Sequence, residues 1–233
     1  MQSLPIFLSS THTCGYLDDH VAQSIFIDPS VPLSSLIYSE LIKKGFRRSG
    51  DDVYRPYCLN CNQCIPVRLM VNQFHPNRSQ KRCWQKNINT VATVKPAVFE
   101  QDHFQMYLRY QLARHNGGDM ADASKNDYIR FLGSSWCDIK FIQFTVNDEL
   151  AAVTVVDEIE NSLSAVYTFF EPKFAAYSLG TYAVLWLIQQ AITDHRDYLY
   201  LGFWIKSSRK MAYKSNYQPL QLFNGNQWVD FSF

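Results

Sequence analysis

The residues best placed to do chemistry lie in Tyr54-Arg55-Pro56-Tyr57-Cys58-Leu59-Asn60-Cys61-Asn62-Gln63-Cys64-Ile65-Pro66-Val67-Arg68, where three thiols stand at i, i+3 and i+6. That spacing lets thiolates converge on one point, as zinc and iron–sulfur ligands do. Cys14, in Thr13-Cys14-Gly15-Tyr16, is a fourth thiol able to close the site. Cys14, Cys58, Cys61 and Cys64 are therefore expected to meet, as a zinc or iron–sulfur site or as a redox-active group. Free cysteines that only pack as small apolar residues are the plain alternative. Cys83 and Cys137 have no cysteine at ligand spacing and are assigned to packing.

A second feature is charge. The chain carries a net charge of +1, yet residues 41–95 hold eleven Lys/Arg against only Asp51 and Asp52, leaving −8 elsewhere. A local excess of +9 points to an anionic partner, or to a solvated face balanced by counterions. Within it, Asn77-Arg78-Ser79-Gln80-Lys81-Arg82-Cys83-Trp84-Gln85-Lys86-Asn87 reads as a helix whose Arg82 and Lys86 stand at i, i+4. Like charges so placed repel, and polyanion binding would relieve the repulsion.

The elements that must position these groups follow from pattern. A helix is expected from Leu33 to Lys44, capped near Ser34 or Ser35 and stopped at Gly45. Phe46 to Tyr57 reads as strand around a Ser49-Gly50-Asp51-Asp52 turn, Ile65 to Val71 and Thr90 to Val98 as strands, and Phe99 to His115 as a helix broken at Asn116-Gly117-Gly118-Asp119. The second half gives strands at Ile139–Val146, Leu150–Val156 and Ser162–Phe170, a strongly apolar helix at Leu179–Thr193, a strand at Tyr198–Trp204 and a helix at Ser207–Asn216. This is an α+β order with a crossover at the helix. It resembles the N-acetyltransferase-like acyltransferase core, here preceded by a cysteine-bearing N-terminal α/β region. The division is expected near 1–110 and 111–233. No apolar run approaches the length of a membrane span, and no basic, apolar leader opens the chain, so a cytoplasmic protein without membrane contact is expected.

Several stretches, in order along nearly the whole chain, resemble the bacterial arm of the arginyl-tRNA–protein transferase family, the aspartate/glutamate leucyltransferases. They are Cys14-Gly15-Tyr16-Leu17, Tyr54-Arg55-Pro56-Tyr57-Cys58 with Cys61, Cys64-Ile65-Pro66-Val67-Arg68, and Arg78-Ser79-Gln80-Lys81-Arg82. Arg114-His115-Asn116-Gly117-Gly118-Asp119-Met120, Tyr167-Thr168-Phe169-Phe170-Glu171-Pro172 with Ser178-Leu179-Gly180, and Tyr200-Leu201-Gly202-Phe203-Trp204-Ile205 through Lys210-Met211-Ala212-Tyr213-Lys214 complete the set. His20 stands where a basic residue such as Arg is expected. The resemblance implies transfer of leucine from leucyl-tRNA to proteins with N-terminal Asp or Glu, marking them for degradation, with arginine as the alternative donor.

Such a reaction uses an already activated ester, so it needs no ATP, and no Gly-rich phosphate loop with its Lys is present. No cofactor is required for transfer. An α-amine, with an ordinary pKa of about 7.7–8.0, is partly neutral at physiological pH, so proximity can supply much of the rate. Tyr213 and Tyr167 are the expected catalytic residues, Tyr213 protonating the leaving 3′-oxygen or orienting water, with packing on a helix face and a hydroxyl in solvent as the plain alternative for Tyr213. Ser178, Leu179 and Gly180 offer helix N-terminal amides, or a simple cap. Lys206, Lys210 and Lys214, with Arg209, supply cations for substrate, and Arg114 with His115 form a second set or a helix-end dipole partner. Arg78, Lys81, Arg82 and Lys86 are expected on tRNA phosphates, with Phe74 and Trp84 stacking a base or anchoring the helix. The rival readings are a zinc-ribbon-like nucleic-acid-binding protein with an inert second half, and an acetyl-CoA N-acetyltransferase. The latter is disfavoured by the single glycine in Tyr177-Ser178-Leu179-Gly180-Thr181-Tyr182.

Overall fold

A computed structural model describes residues 4–114 and 123–231. Four short strands open it: β1 (Ile6–Leu8), β2 (His12–Thr13), β3 (Val21–Ala22) and β4 (Ser24–Ile27). Helix α1 (Ser35–Lys43) follows, its first turn capped by the Ser34 hydroxyl, which accepts from the Ile37 amide at 3.3 Å. The chain leaves α1 through Gly45 in the left-handed region, where a Cβ would stand 2.9 Å from the Phe223 ring and 3.0 Å from Pro66, leaving no room for a side chain. Strands β5 (Arg47–Ser49) and β6 (Asp52–Pro56) form the expected hairpin. With β1 and β4 they make an antiparallel sheet of order β1-β4-β6-β5.

Next come β7 (Ile65–Met70), α2 (Arg78–Lys86), β8 (Val91–Pro96), α3 (Gln101–Arg114) and α4 (Lys125–Leu132). Helix α2 starts on a reciprocal cap: Asn77 accepts from the Gln80 amide and Gln80 accepts from the Asn77 amide. The remainder is β9 (Ile139–Val146), β10 (Glu149–Ile159), β11 (Ser162–Phe170), α5 (Leu179–Thr193), β12 (Tyr198–Trp204), β13 (Leu220–Phe223) and β14 (Trp228–Phe231). These strands join β7 and β8 in one mixed sheet, ordered β14-β13-β7-β12-β11-β10-β9-β8. Its one parallel pairing, β11 with β12, is bridged by α5, and the others are antiparallel.

Alternation along the strands divides the core between the sheet's two faces. In β9, Ile142 and Phe144 pack with the buried residues of α5, whereas Ile139 and Phe141 pack with Phe104, Met106 and Tyr107 of α3 and Tyr128 and Leu132 of α4. A third cluster joins Tyr38, Leu41 and Ile42 of α1 to Val53, Ile159 and Tyr200.

The expected helix over Ser207–Asn216 is corrected: only Ala212–Asn216 is helical, as a 3-10 turn. Its Lys214 folds inward to donate to the Phe203 carbonyl instead of lying on a solvent face. His115 and the Asn116–Asp119 break lie outside the described residues.

Candidate active site

The site forms where two neighbouring strands part. β11 and β12 pair only at Ser162–Tyr198, Leu163–Leu199 and Ser164–Tyr200. Just beyond, the Arg47 guanidinium of β5 enters the fork, donating from Nη1 to Ser164 Oγ (2.9 Å) and from Nη2 to the Ala165 carbonyl (2.6 Å). Gly202 makes this fit possible. Its φ is +80°, at the point where the β12–β7 register shifts, and a Cβ there would stand 3.4 Å from three guanidinium atoms. Tyr54 lies directly opposite Arg47 in the β5–β6 ladder and so shares its face.

Around Arg47 stand groups from all parts of the chain. Tyr16, Tyr54, Tyr213 and Lys214 all feel its charge. Burial pushes the Tyr213 hydroxyl up to about 12, helped by Tyr110 and opposed by Arg47. The Tyr16 hydroxyl is likewise raised to about 12, first by burial. Lys214 moves the other way, down to about 7, because burial and then Arg47 disfavour its ammonium while Cys64 favours it. Its Nζ donates to the Phe203 carbonyl at 2.6 Å and touches Met211 Sδ at 3.6 Å. At neutral pH the cluster thus holds a fixed cation, tyrosine hydroxyls that remain protonated, and an amine close to half-deprotonated.

Tyr167 closes the α3 side. A bulge leaves Val166 without a partner on β10, between the Val155–Tyr167 and Val156–Ala165 pairs. The Tyr167 hydroxyl accepts from Gln111 Nε2 at 3.0 Å, and burial raises its pKa. Tyr110, a neighbour of Tyr213, packs edge-on against Phe170 at 4.9 Å between ring centres. Arg114 caps the same ring at 5.7 Å and hydrogen-bonds Tyr110.

The four cysteines gather about Cys64, whose thiol is raised to about 12 by burial and then by Cys14, Cys58 and Cys61. Among the described residues no three His, Cys, Asp or Glu side chains stand together in a way that can hold a metal ion. Cys58 and Cys61 face each other across a tight bridge, and the Cys58 thiol donates to the Gln23 carbonyl at 3.6 Å.

Helix α5 begins at the rim of this cluster. Ser178 precedes it in the left-handed region (φ 55°), and its hydroxyl makes no capping bond. The plain cap reading therefore fails, and the Leu179 and Gly180 amides have no acceptor among the described residues. Phe170 lies 3.9 Å from where a Gly180 Cβ would sit, linking this end to Tyr110 and Arg114.

Helix α2 is fastened alongside. Gln80 donates to the Asn216 carbonyl (3.0 Å), Asn87 to Tyr177 (2.8 Å) and Lys86 to Ala176 (2.9 Å), while Cys83 packs near Ser178. Lys86 is thereby spent on backbone. Arg78, Lys81 and Arg82 remain exposed with no ion pair among the described residues. Phe74 packs against Tyr217 and Trp84 against Tyr182, so both anchor the helix to the core. Much of the basic excess is consumed internally: Lys43 pairs with Glu40, Arg48 with Asp157 and Lys95 with Glu100, and Arg68 lies 3.7 Å from the Tyr198 ring centre. Lys206 and Lys210 are exposed on the loop after β12, which Ser207 ties to Gln63 beside the cysteines at 2.7 Å.

The sequence profile described as "Arginine-tRNA-protein transferase, N terminus" matches residues 12–82, and its C-terminal counterpart matches residues 102–224. The chain belongs to the arginine-tRNA–protein transferase family. Family relatives include the aspartate/glutamate leucyltransferase of Saccharophagus degradans, 43% identical over 99% of this chain and 98% of that protein. That of Teredinibacter turnerae is 44% identical over 99% and 95%. Among solved structures, L-PGS from Bacillus licheniformis aligns with 65% of this chain and 48% of that one, at 11% identity and a TM-score of 0.47. For a family member read from sequence alone, Arg47 is the residue that escapes notice. It is one of eleven cations in a basic segment, and only the strand fork reveals that it is buried.

Proposed function

We propose that this protein transfers leucine from leucyl-tRNA to the α-amine of proteins beginning with Asp or Glu. The observation that carries this reading is the convergence of Tyr213, Tyr167, Arg114, Lys214 and the uncapped start of α5 on one fork of the central sheet, beside a helix presenting Arg78, Lys81 and Arg82. The acceptor amine attacks the ester carbonyl, forming the C–N bond and breaking the bond to the tRNA 3′-oxygen, which takes up the proton the amine loses. Tyr213 donates a hydrogen bond to the oxygen that gains charge, together with the Leu179 and Gly180 amides. Lys214 is the proton acceptor within the cluster, and Tyr167, held by Gln111, orients the leucyl end. Arg78, Lys81 and Arg82 bind acceptor-stem phosphates, with Lys206 and Lys210 as further contacts at the opening.

A panel of labelled aminoacyl-tRNAs, offered with peptides beginning with Asp, Glu, Arg, Lys or Ala, tests the proposal. Label should pass from leucyl-tRNA to Asp- and Glu-starting peptides. Arginine in place of leucine would change the donor alone, and no transfer from any donor would overturn the reaction class.

A further inference from the structure

We propose that Arg47 is the receptor for the side-chain carboxylate of the acceptor's N-terminal residue, an inference that rests on the acyl-transfer reading above. The argument begins with a contrast between neighbours. Arg47 and Arg48 are both buried, 8% and 4% exposed, and adjacent residues of a strand face opposite ways. Arg48 is neutralised by Asp157, itself fully buried, and also donates to the Leu132 and Gly133 carbonyls. Arg47 has no carboxylate within 4 Å among the described residues.

A buried guanidinium without a counter-ion is costly to hold, and proteins keep one where something else brings the charge. The two acceptors Arg47 satisfies, Ser164 Oγ and the Ala165 carbonyl, would be served equally by a neutral amide side chain. Those bonds use two of the five guanidinium N–H groups, leaving three for a ligand. The groups that share its field on the site side are Tyr16, Tyr54, Tyr213 and Lys214, all of them hydrogen-bond donors. Tyr16 and Tyr213 keep part of their surface in solvent, 42% and 45% exposed, although their hydroxyls are buried, so the approach to Arg47 runs past these two residues. An anion arriving there meets one fixed cation and a ring of hydroxyls.

The other cations are less suited to discriminate. Lys206 and Lys210 are exposed, where water and salt screen them, and Arg114 is spread over the Phe170 ring. A planar guanidinium in a desolvated fork grips a carboxylate through paired donors, and a lysine does not. A carboxylate at Arg47 also brings the acceptor's α-amine among Tyr213, Lys214 and the start of α5.

The test compares the full-length protein with R47Q and R47K in leucyl transfer to peptides that begin with Asp or Asn and are otherwise identical, with leucyl-tRNA affinity and thermal melting measured alongside. R47Q keeps donors for Ser164 and Ala165 and removes the charge. It should lower kcat/KM for the Asp peptide on the order of 100-fold more than for the Asn peptide, so that the preference for acid over amide is erased, and leave tRNA affinity within about twofold. Equal losses on both peptides, or lost tRNA binding with the preference intact, would overturn the assignment. If R47Q melts below the assay temperature, R47K, which retains the charge, is read alone. It should lose on the order of tenfold on the Asp peptide only, and an unchanged Asp-to-Asn ratio would overturn the proposal. Absence of leucyl transfer by the unmutated protein would instead refute the underlying reading.

Discussion

Replacing Lys214 by Met should uncouple the stability of this fold from pH in one definite window. Met nearly matches the Lys stem in length and removes the ionisable nitrogen. In the native state the Lys214 ammonium is disfavoured by burial and by Arg47, which bring its pKa from 10.5 to about 7. The unfolded chain therefore binds more protons than the native one between those values, so stability rises with pH across the window. Relative to the unfolded chain, the charge costs about 4 kcal/mol at pH 7 and about 2 kcal/mol at pH 9, with the full penalty present below pH 7 and none above 10.5. K214M escapes this cost. It also leaves the Phe203 carbonyl without its donor, which adds a loss of about 1–3 kcal/mol that does not vary with pH. Urea unfolding of both proteins at pH 7 and pH 9 isolates the ionisation, because other titrating groups are common to the pair. From pH 7 to pH 9 the unmutated protein should gain about 2 kcal/mol relative to K214M. A difference independent of pH, or one of opposite sign, would refute a neutral-leaning Lys214 and with it the proton-accepting role.

Two further outcomes follow from the surface and the core. Substituting Ala for Arg78 and Arg82 should weaken leucyl-tRNA binding and lower the slope of log affinity against log salt by roughly one for each phosphate no longer neutralised, while peptide KM holds; an unchanged slope would mark the exposed face of α2 as ordinary solvated surface. Asp157→Ala should destabilise the protein by about 3–5 kcal/mol in chemical denaturation, because it strands Arg48 in the core. A loss below about 1 kcal/mol would mean that the carbonyls of Gly50, Leu132 and Gly133 suffice to hold that charge.

How far the fold can be read from sequence depends on how strongly each segment declares its own period. Helix α5 and strand β12 fall on the expected bounds, since both are dense apolar runs between clear stops. Strand β10 runs on to Ile159 where polar residues suggest an earlier end, because Asp157 is buried by its pairing with Arg48. That partner lies more than a hundred residues away. The strands before residue 28 carry little pattern, as they are two to four residues long and Ile6, Phe7 and Leu8 are exposed. Helix α4 is hidden in a polar stretch, where a Ser124–Asp127 reciprocal cap fixes its start. The candidate site is legible in pieces: motifs single out Tyr213, Tyr167, Lys214, Arg114 and the cysteines. The buried Arg47 beside Tyr213 and Lys214 is not legible, because a strand arginine reads as a solvent residue until the parting of β11 and β12 is known.

Intact-mass analysis of two small model proteins, alike except for an N-terminal Asp or Ala, tests the central claim most directly. Each would be incubated with this protein and leucyl-tRNA, and the site of any added mass mapped by fragmentation. One leucyl residue on the α-amine of the Asp-starting protein alone is the expected product. No addition, equal addition to both proteins, or addition at a side chain would contradict it.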